Sequence, residues 1–277
     1  MGGLEIGETT LAIHVWGDPT GGSREIRVPP GPPSPERLSP PWMRVEHGVL
    51  IWSEQCDDTT RIVFKMYRHR GMWTSFRERV TRFRVQREYQ SLCHLVQQDI
   101  PCSIPLFWTR GYCRRHGYYE ILAMREIEDA TPLGALVIPG VDLNGVGDLA
   151  PLFRIVRRMH SSGLHHGALV PRNILVTTGA DGRWSFHVID MPRAIAFPRD
   201  VFDTRMGWID LKDLTRSLLP VLGNERCLAL LESYGMDASG GRYLLETLEG
   251  YRCTRHTRNW LQGEFKLRSW FARHVRA

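Results

Sequence analysis

The chain has 277 residues, of which 42% are hydrophobic and 24% charged, and these ordinary values exclude wholesale disorder, a collagen-like repeat and a small disulfide-stapled scaffold. No apolar run approaches the ~18 residues that a transmembrane helix needs, and the N-terminal sequence has neither the basic nor the apolar region of a signal peptide. The formal net charge of +6 favours anionic partners such as phosphate groups, nucleic acid or acidic lipid.

The cysteines and lysines are informative. The six cysteines include no C-x-x-C pair, which is typical of reduced cytoplasmic thiols and not of disulfides or zinc ligands. Only three of the 36 basic residues are lysines, namely Lys65, Lys212 and Lys266. A lysine at a special position therefore indicates that an ammonium group is needed there.

In chain order, the sequence predicts an extended arm and then a β-rich region. The arm covers residues 1–41, because eight of the chain's 17 prolines lie between positions 19 and 41. Residues 42–128 form a predicted small lobe, with strands at 43–53, 60–67, 105–112 and 117–124 and one long helix at 74–98. The first two strands are joined by a predicted turn that carries Glu54, Asp57 and Asp58.

The remaining residues, 129–277, predict a larger and mostly helical lobe. Apolar residues at helical spacing indicate helices around 149–160 and at 208–234 and 241–262. Two short strands at 174–176 and 186–190 are joined by a glycine-containing turn. The expected fold class is therefore α+β with two lobes.

A lysine and a glutamate in the small lobe predict an ion pair. Lys65 lies in an apolar strand, and Glu88 shares the apolar stripe of the long helix with Val85 and Leu92. A carboxylate on such a stripe must find a cation, and Lys65 is the obvious partner. In protein kinases a pair of this kind holds the α- and β-phosphates of ATP. The alternative is a strand-end lysine whose ammonium group reaches solvent.

The large lobe carries a more specific pattern. A predicted helix ends at Gly163, a tight loop with His166 and Gly167 follows, and Asn173 comes just before a short strand. The next strand ends at Asp190. In a kinase site an Asn and an Asp from neighbouring loops reach the same Mg²⁺, which prefers oxygen ligands. Taken alone, Asn173 could equally be a turn residue.

Seven segments of the chain match the motifs of a known protein family and follow one another in the same order as in that family. They are residues 63–68, 87–92, 104–105, 125–130, 164–176, 189–194 and 213–219. With these segments, the stretch from about 43 to 235 resembles the lipopolysaccharide kinase family, the Kdo and heptose kinases of Gram-negative envelopes. The resemblance implies a two-lobed, protein-kinase-like fold. The expected location is the cytoplasm, with peripheral attachment to the cytoplasmic face of the inner membrane as an open alternative. The resemblance also implies that the helix at 213–219 anchors the catalytic loop from beneath.

The resemblance assigns roles to five residues and predicts ATP and Mg²⁺ as ligands. Lys65, Glu88 and the hinge residue Glu126 would belong to the nucleotide site, together with Asn173 and Asp190. The last two would also hold the magnesium ion. The expected partners are therefore a nucleotide and a lipid-linked saccharide.

Two departures from the family pattern bear on activity. Where the family has an aspartate that orients the acceptor hydroxyl and takes its proton, this chain has Ala168. His166 is the nearby candidate for a catalytic group, although a histidine there usually packs into the core. In addition, the predicted acidic turn places carboxylates where a triphosphate would be covered, which weakens the expected nucleotide affinity.

Three hypotheses on function follow. The leading one is a lipopolysaccharide-kinase-family protein with impaired or lost catalysis, a pseudokinase that still binds a nucleotide. The first alternative is an active ATP-dependent kinase that phosphorylates a sugar hydroxyl of the lipopolysaccharide core, on Kdo or heptose. The second alternative is a non-enzymatic interaction module on a kinase scaffold.

The C-terminal tail, residues 252–277, combines seven basic residues with Trp260, Phe265, Trp270 and Phe271. Basic and aromatic residues at helical spacing suit an anionic membrane surface. The alternative is that the aromatic side chains pack on the large lobe. No nucleic-acid-binding motif is present in the sequence, so nucleic acid is not an expected partner.

Overall fold

The structure is a computed structural model that describes residues 44–46, 49–57, 60–69, 84–113, 117–140 and 147–251. Three predicted features lie outside the described residues: the arm at 1–41, the beginning of the long helix at 74–83 and the tail at 252–277. The described chain divides into two compact units. The first takes the residues up to Cys93 and Ser103–Glu128, and the second takes His94–Cys102 and the residues from Asp129 onwards.

The first unit is built on an antiparallel sheet with the strand order β1–β2–β3–β5–β4. The strands are β1 (Arg44–Glu46), β2 (Val49–Asp57), β3 (Thr60–His69), β4 (Pro105–Cys113) and β5 (Gly117–Arg125). Helix α1 (Arg84–Gln97) falls between β3 and β4 in the chain. The β4–β5 hairpin and this part of the long helix confirm the predictions.

The two faces of this sheet differ because side chains alternate along each strand. One face carries a buried hydrophobic cluster around Trp52, Phe64 and Met66, in which the rings of Trp52 and Phe64 stack with centroids 5.2 Å apart. Lys65 points to the opposite face, since it lies between Phe64 and Met66 on β3 and pairs with Leu122 of β5. The apolar alternation of β3 therefore buries the lysine on the face opposite the aromatic cluster.

Two sequence predictions for this unit are wrong. The single strand expected at 43–53 is split into β1 and β2, which pair with each other so that Glu46 is opposite Val49. The acidic residues also do not begin a turn at position 54, because β2 continues to Asp57 and Glu54 pairs with Ile62. Glu54 is compatible with a strand here because its carboxylate accepts a hydrogen bond from the Trp52 indole at 2.8 Å.

The second unit contains short strands and helices, and the predicted strand pair is confirmed. The predicted end of the second strand at Asp190 is wrong, because this strand covers Trp184–Val188 and ends two residues earlier. The unit's described strands are β6 (Thr131–Pro132), β7 (Leu164–His165), β8 (Ile174–Thr178), β9 (Trp184–Val188) and β10 (Ile195–Ala196). Its described helices are α2 (Leu133–Leu136), α3 (Ala150–Ser161), α4 (Arg205–Tyr234) and α5 (Ala238–Glu246). Strands β6, β8 and β9 form one antiparallel sheet, and β7 pairs with β10.

The last two helices depart from their predicted bounds. Helix α4 begins at Arg205, where the Thr204 side chain caps the amides of Met206 and Gly207, and its course is broken at Gly223, whose φ of 75° is left-handed. Helix α5 begins after the capping residue Asp237 and ends at Glu246, so the predicted helix at 241–262 is wrong from residue 247 to Gly250. Among the described residues, no helix is long and apolar enough to cross a membrane.

Candidate active site

In the first unit, Lys65 and Glu88 form a buried ion pair. The Lys65 Nζ atom lies 2.8 Å from Oε1 and 3.0 Å from Oε2 of Glu88, so both carboxylate oxygens accept from the ammonium group. The side chain of Glu88 is fully buried and that of Lys65 is 7% exposed. The prediction of a charge pair within ~4 Å is confirmed. The Tyr67 hydroxyl adds a third hydrogen bond, to Oε2 of Glu88 at 3.1 Å.

Glu126 follows β5 and is tied to the edge of the same sheet. Its Oε2 atom accepts from the Ser53 hydroxyl at 2.5 Å and lies 3.3 Å from the Arg61 Nε atom. Its backbone N–H donates to the Arg61 carbonyl at 2.9 Å. These contacts give the predicted hinge residue a structural anchor on β2 and β3.

The catalytic loop in the second unit is organised around Asp210, which lies on α4. Its Oδ2 atom accepts from the backbone N–H of His166 at 2.6 Å, and its Oδ1 atom accepts from the backbone N–H of Gly167 at 2.9 Å. Gly167 has a φ of 78°, a left-handed conformation that favours glycine. A single buried carboxylate therefore holds two successive amides of the loop.

Two histidines complete the surroundings of Asp210. His160 Nε2 lies 3.3 Å from the carboxylate and His160 Nδ1 lies 2.7 Å from the Tyr234 hydroxyl. His165 Nδ1 lies 3.0 Å from Oδ2 without the alignment of a hydrogen bond. Burial works against the charge of Asp210, but the nearby His165 and His160 outweigh it and hold the pKa of this carboxyl well below its usual range.

His166 is held in one tautomer by the loop itself. Its Nδ1 atom accepts from the Ala168 N–H at 3.2 Å, so the proton is on Nε2, which donates to the Ile189 carbonyl at 3.1 Å. Burial lowers the pKa of His166, against the opposing influence of Asp210 and Asp190. A neutral, fully buried imidazole with both nitrogens engaged suits a positioning role better than proton transfer.

Ala168 and Asn173 are joined across the loop. The Asn173 Nδ2 atom donates to the Ala168 carbonyl at 2.8 Å. With the amide nitrogen engaged there, the Oδ1 atom of Asn173 is the one left to meet a cation. Ala168 is half-buried.

Asp190 is placed next to Asn173 by backbone pairing. The N–H of Ile189 donates to the Asn173 carbonyl at 3.0 Å, which brings the ends of the two segments together. Asp190 itself has a φ of 62°, an uncommon conformation that Asp tolerates better than most residues and that recurs at active sites. An amide oxygen and a carboxylate on neighbouring segments match the oxygen preference of Mg²⁺.

The oxygen donors of the second unit therefore fit a magnesium ion, which Asn173 and Asp190 would hold. Within the described ranges, no group of three or more histidine, cysteine or acidic side chains is arranged to hold a metal ion. Two protein ligands are what a site needs when substrate phosphates supply the remaining oxygens.

Asp210 is the main functional residue that the sequence reasoning missed, because the anchoring helix was predicted from residues 213–219. A signal was nevertheless present. Asp210 is one helical turn from Met206 and one from Leu214, and both are fully or almost fully buried. A carboxylate on that apolar face needs donors, which is the reasoning that identified Glu88.

We expect the stability of the protein to decrease as the pH falls below about 6.5. In the unfolded state His166 takes up a proton near its ordinary pKa of ~6.5, whereas in the folded state its pKa is lower. The neutral imidazole therefore contributes its full stabilisation above about pH 6.5 and loses it as the pH falls further. The contribution of Asp210 has the same sign at lower pH, because its folded pKa is depressed and its stabilisation is lost as the pH falls through that value.

Urea unfolding between pH 8 and pH 4 measures this dependence. His187 titrates in the same direction, since burial lowers its pKa as well. The His187→Gln variant therefore isolates the contribution of the loop. A variant whose stability is constant from pH 8 to pH 5 would contradict the prediction.

Comparisons with known proteins agree with this geometry. A solved structure of WaaP in complex with acyl carrier protein is similar to the chain with a TM-score of 0.56 at 17% identity, over 77% of this chain and 88% of that one. A Rio2 kinase complex from Chaetomium thermophilum aligns with a TM-score of 0.46 at 16% identity, over 82% of this chain and 70% of that one. The likeness to the WaaP structure, together with the Lys65–Glu88 and Asn173–Asp190 pairs, defines a protein-kinase-like fold.

The family assignment comes from the sequence. Residues 46–234, more than half of the chain, match the family model described as the lipopolysaccharide kinase (Kdo/WaaP) family. The chain belongs to this family, which confirms the resemblance found from its motifs. No curated protein sequence matches the chain.

Proposed function

We propose that the chain is a nucleotide-binding pseudokinase of the lipopolysaccharide kinase family, which keeps the parts that hold ATP and Mg²⁺ and lacks the general base. The observation that carries the proposal is the loop from His166 to Asn173, whose backbone is held by the side chains of Asp210 and Asn173. From the family pattern we infer that Ala168 occupies the position of the proton acceptor in this loop.

Nucleotide binding is supported by the first unit. Lys65 is held by both oxygens of Glu88, the arrangement that protein kinases use at the α- and β-phosphates. The predicted repulsion by acidic residues is also reduced, because Glu54 belongs to β2 and its carboxylate is engaged by the Trp52 indole. The side chains of Asp57 and Asp58 lie outside the described residues.

Impaired transfer is supported by the second unit. An alanine methyl group cannot accept a proton, and His166 is neutral with both ring nitrogens engaged. A positioned general base contributes about 10²–10⁴-fold to a rate, or roughly 3–5 kcal/mol of barrier. When bound, the magnesium ion would neutralise phosphate charge.

We expect ATP with Mg²⁺ to raise the melting temperature of the protein, and Mg²⁺-free ATP to raise it less. Asp190→Asn removes one metal-directed charge and should weaken the Mg²⁺-dependent part by about tenfold or more in affinity, the weight of a metal-site contact. Lys65→Met should weaken binding with and without the metal. A thermal-shift titration measures both variants against the parent.

The exposed Asp181→Asn substitution, in the turn between β8 and β9, is the control and should behave like the parent. Equal affinity in the presence and absence of Mg²⁺ would show that Asn173 and Asp190 are not a metal site. Absence of any nucleotide effect would favour the non-enzymatic interaction module.

A slow, active kinase is the second candidate, and the assembled loop favours it. Phosphoryl transfer depends mostly on positioning and electrostatics, and both anchors of the loop are in place. The substrate would then be a sugar hydroxyl of a lipid-linked saccharide, Kdo or heptose. Transfer of labelled phosphate from ATP to lipopolysaccharide core by the unmodified protein would replace the pseudokinase proposal with this one.

The proposed setting is the cytoplasmic face of the inner membrane, where such a saccharide would be met. The basic, aromatic tail at 252–277 would contribute about 1 kcal/mol per basic residue near an anionic surface. Acyl carrier protein is a candidate partner, since it accompanies WaaP in the similar structure. Sedimentation with anionic and with neutral vesicles tests the first idea, and co-purification tests the second.

A further inference from the structure

Glu120 is a buried carboxylate that neither the sequence prediction nor the proposed mechanism uses. It lies on β5, is 1% exposed, and its Oε2 atom accepts from the backbone N–H of Val85 at 3.1 Å. A buried carboxylate is costly unless it meets donors. The Val85 N–H supplies such a donor, and this hydrogen bond joins the sheet to helix α1.

The position of this contact on α1 is informative. Val85 is in the first described turn of the helix, which has no acidic residue of its own, and it is fully buried. Val85 and Glu88 are three residues apart, so they lie on the same side of the helix. Holding the Val85 amide therefore constrains the rotation of α1 at the place that determines where the Glu88 side chain points.

Strand β3 holds the same side of the helix one turn further on. Tyr67 is opposite Glu120 in the β3–β5 pairing, and Lys65 lies two residues before Tyr67 on the same face. Lys65 and Tyr67 both donate to the Glu88 carboxylate, at 2.8 Å and 3.1 Å respectively. Helix α1 is thus fastened to the sheet at Val85 by β5 and at Glu88 by β3.

We propose that Glu120 is a positioning residue that fastens α1 to the sheet and so brings Glu88 to Lys65. Its role is exerted through the hydrogen bond that it accepts from the Val85 amide, and its effect is on the lysine that the nucleotide needs. The nucleotide consequence rests on the proposed function, but the effect on Lys65 does not.

Four variants separate this role from a general effect on folding. Glu120→Ala removes the acceptor, and Glu120→Asp keeps the charge but shortens the side chain so that it no longer reaches Val85. Glu120→Gln keeps an acceptor oxygen at the original length. Glu128→Ala removes an exposed carboxylate three residues after β5 and is the matched control.

The first measurement is the reactivity of the Lys65 amine in the free protein. Trace acylation with an amine-reactive reagent followed by peptide mass spectrometry resolves the chain's three lysines, and Lys212, in the second unit, is the internal reference. We expect Lys65 labelling to rise about tenfold in Glu120→Ala and Glu120→Asp, the ratio that the loss of one hydrogen bond to a charged acceptor represents. Glu120→Gln and Glu128→Ala should stay within about twofold of the parent.

A double variant tests whether the effect passes through Glu88. Glu88→Gln alone should raise Lys65 labelling, because the ammonium group loses its charged partner. If Glu120 acts through Glu88, adding Glu120→Ala to Glu88→Gln should raise it no further. Additive effects, unchanged labelling in Glu120→Asp, or a Glu120→Gln variant that behaves like Glu120→Asp would each overturn the proposal. The Asp and Gln variants decide it even if the Ala variant does not fold.

The second measurement is the affinity for ATP with Mg²⁺ in the same variants. If the parent binds, Glu120→Asp should lose affinity by the same factor as Glu88→Gln, and Glu120→Gln should keep it. If neither the parent nor any variant binds ATP, the proposed function is wrong. The Lys65 labelling still decides the role of Glu120 in that case.

Discussion

Replacing Ala168 with aspartate is expected to raise ATP hydrolysis or sugar phosphorylation by about 10²–10⁴-fold over the parent, the usual worth of a positioned general base. The substitution restores a carboxylate at a loop position whose backbone is already held on both sides. The Ala168 N–H donates to His166 and its carbonyl accepts from Asn173. The side chain is half-buried, so a larger group has an exit toward solvent.

Release of labelled phosphate and labelling of lipopolysaccharide core measure the gain. Ala168→Asn is the matched control, because it has the same size and cannot serve as a base. Adding Asp190→Asn to the Ala168→Asp variant should remove the gain, since a metal-directed carboxylate is lost. Activity equal to the parent would reject the idea of a kinase that is one residue from function, and the chain would be better explained as an interaction module.

The Asp210→Asn substitution is expected to lower the free energy of unfolding by about 3–5 kcal/mol, as the loss of one member of a buried charged network does. The two carboxylate oxygens accept from two different amides, those of His166 and Gly167. A carboxamide has one acceptor oxygen, so one loop N–H would face an NH₂ group and remain buried without a partner.

Urea unfolding monitored by tryptophan fluorescence measures this loss. Glu232→Gln makes the same chemical change at an exposed position of the same helix and should stay within about 0.5 kcal/mol of the parent. The Asp210→Asn variant should also bind nucleotide more weakly than the parent, because the segment that leads to Asn173 loses its anchor. If Asp210→Asn lowers the free energy of unfolding by less than about 1 kcal/mol, contacts other than those of Asp210 hold the loop.

Predictions from the sequence were correct where a local rule, such as the spacing of apolar residues, allowed only one structure. The described part of the long helix, Arg84–Gln97, and the β4–β5 hairpin follow from apolar spacing, and both occur close to their predicted positions. The Lys65–Glu88 pair followed from a carboxylate on an apolar stripe and a rare lysine on the strand before it. Motifs spread over the chain identified the family, because kinase chemistry needs particular side chains in a particular order.

Other features were decided by contacts that a sequence does not display. Strand β2 continues through Glu54 because pairing with β3 and the Trp52 indole compensate for an acidic residue that would favour a turn. By contrast, the split between β1 and β2 falls where Glu46, His47 and Gly48 interrupt the apolar pattern, and β1 and β2 pair with each other. Tertiary pairing outweighs local propensity only at Glu54.

The sequence by itself determined the family, most of the main elements and the Lys65–Glu88 ion pair. Only the tertiary structure showed what holds those residues, namely Asp210 for the catalytic loop and Glu120 for helix α1. The physical reason is common to both. Each carboxylate accepts from backbone N–H groups, which are present at almost every residue and so do not identify themselves in a sequence, and these donors lie 35 to 44 positions away in the chain.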